Sequence, residues 1–140
     1  MKLLNQLGWR HYASKQPASI GKARLGRVQR VDRGEVDALT EEGELRVASD
    51  SQRTTIDLAP ATGDWITVVD DPDIGFHIET ILPRYSSISR RDPAEQEKEQ
   101  VLVSNVDFVG IICTVDRAPN IAKIERFLSL GQDSDAGPLL

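Results

Sequence analysis

Arg24, Arg27, Arg30 and Arg33 recur at every third position, and Lys22 precedes them by two residues. A guanidinium offers a planar fork of N–H donors that suits phosphate oxygens, so a run of this kind fits contact with a polyanion such as RNA. On an ideal strand alternate side chains face opposite ways, which places Arg24 and Arg30 on one side and Arg27 and Arg33 on the other. The four make one patch only where the strand is coiled or bulged. A solvated basic edge that discourages aggregation is the alternative use of the same residues, and on charge alone it is the simpler one.

No set of residues assembles a catalytic centre. Gly21-Lys22-Ala23 looks like the end of a phosphate-binding loop, but Ala23 stands where Ser or Thr must reach Mg²⁺ and Gln16 where the first Gly should be. There is no Gly-x-Gly-x-x-Gly and no Asn/Thr-Lys-x-Asp guanine-reading sequence. His11 and His77 share no local motif, and His77 with Glu79 reads as a surface pair on one strand face rather than an acid–base couple. The single cysteine, Cys113, excludes an internal disulfide, and one cysteine with two histidines does not make a zinc site. Cys113 lies in an apolar run and reads as a small core residue.

Charge is unevenly placed. Within residues 1–34, eight basic groups against Asp32 alone leave +7, so the other 106 residues carry −12 to reach the overall −5 of this 140-residue chain. That balance argues against whole-surface attraction to nucleic acid and allows a local footprint. No apolar run approaches the roughly 18–20 residues that span a bilayer, and the first residues lack the apolar core of a secretory signal. The expectation is a cytoplasmic protein without a membrane segment.

The elements that must position these groups are short. Residues 1–19 read as a weak helix or arm, with Leu3, Leu4 and Leu7 on one face and Gly8 and Pro17 limiting its length. Trp9 and Tyr12 within it either stack on bases or pin the arm to the domain. Strands are expected at Arg24–Asp32, Glu35–Thr40, Glu44–Ala48 with a continuation near Thr54–Leu58, Trp65–Val69, and Phe76–Leu82, separated by Gly, Pro and Asp turns. Gly26 marks an expected bulge or sharp coil. Five short strands in about 60 residues fit a closed barrel of the OB type. The apolar run 107–115 reads as a parallel strand covered on both faces, followed by a helix capped by Asn120 with Ile121, Ile124 and Leu128 as its stripe, a stop at Gly131, and a new strand beginning at Gly137.

Several segments together carry a family likeness: Gly26-Arg27-Val28-Gln29-Arg30-Val31-Asp32-Arg33-Gly34, Gly63-Asp64-Trp65, Ile81-Leu82-Pro83-Arg84, Ser86-Ser87-Ile88-Ser89-Arg90-Arg91-Asp92-Pro93, Glu99-Gln100-Val101, Asn105-Val106-Asp107 and Ile124-Glu125-Arg126-Phe127-Leu128. In order and spacing the chain resembles the N-terminal portion of the ribosome-small-subunit-dependent GTPase A family, circularly permuted GTPases acting in late maturation of the small ribosomal subunit. The resemblance implies an OB domain that docks on small-subunit (16S) ribosomal RNA. It further implies a GTPase domain that uses GTP with Mg²⁺, and a zinc-binding domain, both of whose ligand-holding residues fall outside this sequence.

The resulting expectation is a mainly β chain: an N-terminal arm (1–22), an OB-fold five-stranded barrel (23–83), a linker (84–100) and the truncated start of a circularly permuted, P-loop-GTPase-like α/β domain (101–140). Lys22, Arg24, Arg27, Arg30, Arg33, Arg84, Arg90 and Arg91 are the RNA-contact candidates. No catalytic, cofactor-binding or metal-binding residue is assigned, and the chain by itself is expected to be inactive. The small ribosomal subunit is the expected partner, with self-association through the exposed strand 107–115. The competing function is a protein-interaction or general RNA-binding OB module with no linked GTPase.

Overall fold

The computed structural model describes residues 1–16, 18, 20–49, 58–91, 99–114 and 118–139, and the chain divides into two units, Met1–Tyr85 and Ser86–Leu140. The first unit opens with helices α1 (Lys2–Gln6) and α2 (Trp9–Lys15), joined through Gly8 in the left-handed region at φ 92°. Strands β1 (Arg24–Asp32), β2 (Glu35–Thr40), β3 (Gly43–Ala48), β4 (Trp65–Asp71) and β5 (Gly75–Ile81) follow. They close into a barrel in the order β1-β2-β3-β5-β4. Neighbours are antiparallel except β3 and β5, which run parallel where Ala48 meets His77. This is the expected OB-type barrel.

Turn chemistry sets the hairpins. Arg33-Gly34 closes β1 on β2 with Gly34 at φ 79°, a conformation a side chain would strain. Between β2 and β3, the Thr40 hydroxyl donates to the Gly43 carbonyl at 2.9 Å and accepts from the Glu42 N–H at 3.2 Å. Between β4 and β5, the Asp71 carboxylate accepts from the N–H groups of Asp73 and Ile74, the local bonding that makes Asp a turn former.

The expected irregularity in β1 lies elsewhere than at Gly26. Register shifts between Val28 and Arg30, so Gln29 is the extra residue. Gly26 instead marks a close approach of β1 to β2: a Cβ there would sit 3.4 Å from Thr40 Cγ2 and 3.5 Å from Ala38 Cβ.

Two apolar clusters hold this unit. Val28, Val36, Ala38, Val47, Ile66, Val68 and Ile78 fill the barrel, none more than 2% exposed. Leu4, Trp9, Tyr12, Leu25, Trp65 and Leu82 form a second cluster, in which Trp9 stacks on Tyr12 at 5.4 Å and meets Trp65 edge-on at 5.1 Å. β4 is therefore covered on both sides, as its apolar run predicts: Ile66 and Val68 point into the barrel and Trp65 into the second cluster. Residues 2–15 are helices packed on the barrel rather than a free arm. Trp9 and Tyr12 pin them there, Tyr12 donating from its hydroxyl to the Pro83 carbonyl at 2.7 Å, and both rings are too buried to stack on a base.

In the second unit, β6 (Ser87–Arg91) pairs antiparallel with β7 (Glu99–Ser104), so part of the segment read as a polar linker is a strand. β8 (Phe108–Gly110), α3 (Ile121–Asp133) and β9 (Gly137–Leu139) form a strand–helix–strand unit with β8 and β9 parallel. Asn120 caps α3 as expected, its side chain accepting from the Lys123 N–H at 3.1 Å. Three expectations fail here. Among the described residues β8 has three residues and one strand partner, and Phe108 is 66% and Ile112 96% exposed instead of doubly covered. Cys113 is exposed rather than a core residue. Gly131 lies inside α3 and permits contact with β9, since a Cβ there would come within 3.0 Å of Pro138 Cβ. The strand continuation expected at residues 54–57, like the terminal Leu140, lies outside the described residues.

Candidate nucleic-acid interface

The bulge at Gln29 satisfies the condition that a three-residue spacing imposes. Arg27 pairs with Leu39 and Arg30 with Asp37, so the two arginines fall on the same side of β1. Their guanidinium groups nevertheless have different roles. Arg27 is half-buried, lies over the Trp65 ring at 5.3 Å and donates to the carbonyls of Leu7 and Gly63. It joins the end of α1 to the turn before β4, and is structural. Arg30 is exposed, with Nε 3.1 Å and Nη2 3.0 Å from Asp32 Oδ1.

The remaining candidates separate in the same way. Arg24 pairs with Glu42 at 3.0 Å and lies over the Phe76 ring at 5.1 Å. Arg33 is exposed in the β1–β2 turn. Lys22 is exposed beside a groove of about 450 Å³ lined also by Ile20, Thr67, Glu79 and Leu82. Arg84 is withdrawn from the surface: it makes a bidentate pair with the fully buried Asp64, at 2.7 and 2.6 Å, and donates to the Ala59 carbonyl at 2.8 Å. Arg90 and Arg91 belong to the second unit, on β6 opposite Gln100 and Glu99, with Arg90 exposed.

Arg46 on β3 is a further participant that the sequence reading missed. It binds Asp37 at 2.8 Å, Asp32 at 2.9 Å and Glu35 at 3.0 Å across β1, β2 and β3. Hydrogen bonds from Arg46 first, and Arg30 second, hold the Asp32 carboxyl below its ordinary range, while the three acids push Arg46 up. The two-residue β1–β2 turn, which sets Asp32 opposite Glu35, was the sequence clue to this ladder. Its three acids against two arginines make that side of the barrel slightly negative.

Further cations lie on α2. Arg10, His11 and Lys15 are exposed on α2, with Lys15 Nζ 4.3 Å above the Tyr85 ring and His11 edge-on to the same ring at 6.0 Å. Glu41, on the β2–β3 turn, is occupied with α1: it accepts from the N–H groups of Leu3 and Leu4 at 3.2 Å and pairs with the Met1 amine at 2.7 Å. Those bonds, the amine's first, lower its carboxyl to about 2. Among the described residues no group of three His, Cys, Asp or Glu side chains could hold a metal ion. No helix among them is long and apolar enough to cross a membrane.

No protein-family model matches the chain. Against curated proteins it is 34% identical to the small ribosomal subunit biogenesis GTPase RsgA of Syntrophotalea carbinolica, over 98% of this chain and 41% of that protein. It is 36% identical to the protein of the same name from Streptomyces coelicolor, over 82% of this chain and 31% of that one. The chain is a relative of the small ribosomal subunit biogenesis GTPases. It spans less than half the length of these relatives. Among solved structures, YjeQ from Thermotoga maritima superposes with a TM-score of 0.58 at 22% identity, over 82% of this chain and 39% of that one. YloQ, a circularly permuted GTPase, gives 0.56 at 16% identity over 89% and 42%. The two share the fold, and the family resemblance read from the sequence motifs holds.

Proposed function

We propose that the barrel unit is the rRNA-docking part of a cytoplasmic GTPase that acts in late maturation of the small ribosomal subunit. The observation that carries this reading is the 34–36% identity to small ribosomal subunit biogenesis GTPases. GTP hydrolysis is assigned to the part of the relatives' length that this chain does not span, because no phosphate-binding loop or guanine-reading motif occurs in the sequence. Binding of the 140-residue chain to 30S particles across a salt series tests the proposal. With about four to seven phosphate contacts, log affinity should fall with log salt at roughly 0.7 to 0.9 per contact. Binding indifferent to salt, or none, contradicts it.

A second reading has its own observation. The ladder of Asp32, Glu35 and Asp37 around Arg46 presents net acid across β1–β3, which suits a basic ribosomal protein better than a phosphate. Under that reading 30S binding survives charge reversal of every exposed arginine on β1. The exposed Phe108, Ile112 and Ile121, beside a strand with an open edge, are the surface through which copies of this chain would self-associate. Sedimentation velocity at rising concentration tests that.

A further inference from the structure

We infer that residues 82–85 form a strap locked onto the first unit, and that Asp64 is its positioning residue: this one buried carboxylate sets the course of the chain as it leaves the barrel. The inference stands apart from the docking reading. Four consecutive residues are each tied down. The Leu82 N–H donates to the Trp65 carbonyl at 2.8 Å, and its side chain is buried with the second cluster. The Pro83 carbonyl accepts from the Tyr12 hydroxyl. Arg84 grips the Asp64 carboxylate through two nitrogens and the Ala59 carbonyl through Nη2. The Tyr85 ring lies 6.1 Å from that of Tyr12, with Lys15 Nζ 4.3 Å above it.

Asp64 is itself held in direction. It is 0% exposed, and its Oδ2 accepts from the Ala61 N–H at 2.8 Å. Its own N–H donates to the Ala61 carbonyl at 3.1 Å, and its carbonyl accepts from the Val28 N–H at 2.8 Å. Gly63, at φ 94°, donates to the Val28 carbonyl at 2.9 Å. The carboxylate is thus aimed by its own turn and by β1. Replacing a buried ion pair with apolar side chains of similar volume is often neutral or stabilising, so holding residue 84 does not in itself require charge. What the pair adds is orientation, because two parallel N–H···O bonds admit one setting of the guanidinium. Leu82 and Tyr85 pack against apolar groups and could slide; Arg84 could not. Movement of the barrel is therefore passed along the backbone as far as Tyr85 without slack.

Backbone ¹⁵N relaxation of the full chain tests this, since it reads fast motion within the folded state rather than global stability. In the parent, the amides of Arg84 and Tyr85 should have order parameters close to those of β1–β5, about 0.85. D64N keeps the shape of the side chain and removes its charge; it should bring both amides to about 0.6 or below while the strands stay unchanged. R84K keeps the charge and loses the fork, and should fall between the two. Should D64N fail to fold, R84K decides: parent-like order at residues 84 and 85 overturns the lock. Values below about 0.6 there in the parent overturn the strap. Loss of order spread evenly over the strands and residues 84–85 makes Asp64 a general support of the fold and overturns its positioning role.

Discussion

The interior of the first unit is made of Trp65, Tyr12, Ile66, Ile78 and the valines of the barrel, whereas the buried residues of the second, among the described residues, are Ser86, Ser104, Asn105, Gly131, Ser134 and Ala136. In the barrel each strand has a neighbour on both edges, and both clusters of buried apolar side chains lie in this unit. The second unit relies on hydrogen bonding: the Ser86 hydroxyl donates to the Val106 carbonyl at 2.6 Å and accepts from its N–H at 2.8 Å, and the Ser134 hydroxyl donates to the Gly131 carbonyl at 2.8 Å. A bond of that kind contributes about 0.5–1.5 kcal/mol net, against roughly 1.5–3 kcal/mol for burying a Val or Ile side chain. An apolar stretch such as 108–112 does not make a core by itself. It needs partners on both faces, and among the described residues strand closure supplies them in the first unit.

The contrast can be broken most forcefully at Arg84. Removing it by Arg84→Ala takes the bidentate guanidinium away from the buried Asp64 carboxylate, and should lower the stability of the first unit by about 3–5 kcal/mol. Denaturation followed by tryptophan fluorescence reads this cleanly, because Trp9 and Trp65 both belong to that unit. A loss under about 1 kcal/mol would mean the pair is not what holds residue 84. Next comes a matched isoleucine pair. Ile78→Ala, at 0% exposure, should cost about 2–5 kcal/mol, whereas Ile112→Ala, at 96%, should stay within about 0.5 kcal/mol. Equal losses would erase the distinction between the units.

A smaller effect is expected at Tyr12. Burial, with Asp64 nearby, raises its phenol to about 12 from 10.0. The folded state therefore favours the neutral ring, a contribution that is whole below pH 10 and lost as pH rises through about 12. In an alkaline titration of tyrosine absorbance, Tyr12→Phe should remove a late-ionising group and cost about 1 kcal/mol by losing the bond to Pro83. The smallest effect is at Glu41, whose carboxyl is lowered to about 2. Its contribution is present above about pH 4.5 and lost as pH falls toward 2. Parent and Glu41→Gln should differ modestly at neutral pH, and their acid-unfolding curves should converge below pH 2.

Strand positions were legible because turn residues fix them. Arg24–Asp32 and Glu35–Thr40 match the expected boundaries, and Asn120 caps its helix where the sequence places it. What each arginine does was not legible. Arg84 and Arg27 look like surface cations until Asp64 and Gly63, twenty and thirty-six positions away, are seen beside them. Long-range pairing of that kind leaves no local pattern in the chain. Cys113 failed for a related reason: burial was inferred from an apolar neighbourhood, and exposure depends on which elements cover it.

The spare residue in β1 has a consequence for how this strand tolerates change in length. With strict alternation from Val28, Arg30 would fall opposite Val36 and carry its guanidinium into the barrel. Because Gln29 and Arg30 together occupy one place in the ladder, Arg30 faces Asp37 and Val31 faces Val36. Excising Gln29 alone would leave every pairing with its own side chain, whereas excising Val28 would drop Gln29 into the inward place opposite Ala38, and excising Val31 would bring Arg30 or Asp32 to the inward place opposite Val36. The nine-residue strand therefore contains one position where a single-codon deletion is silent to the fold, flanked by positions where it is not.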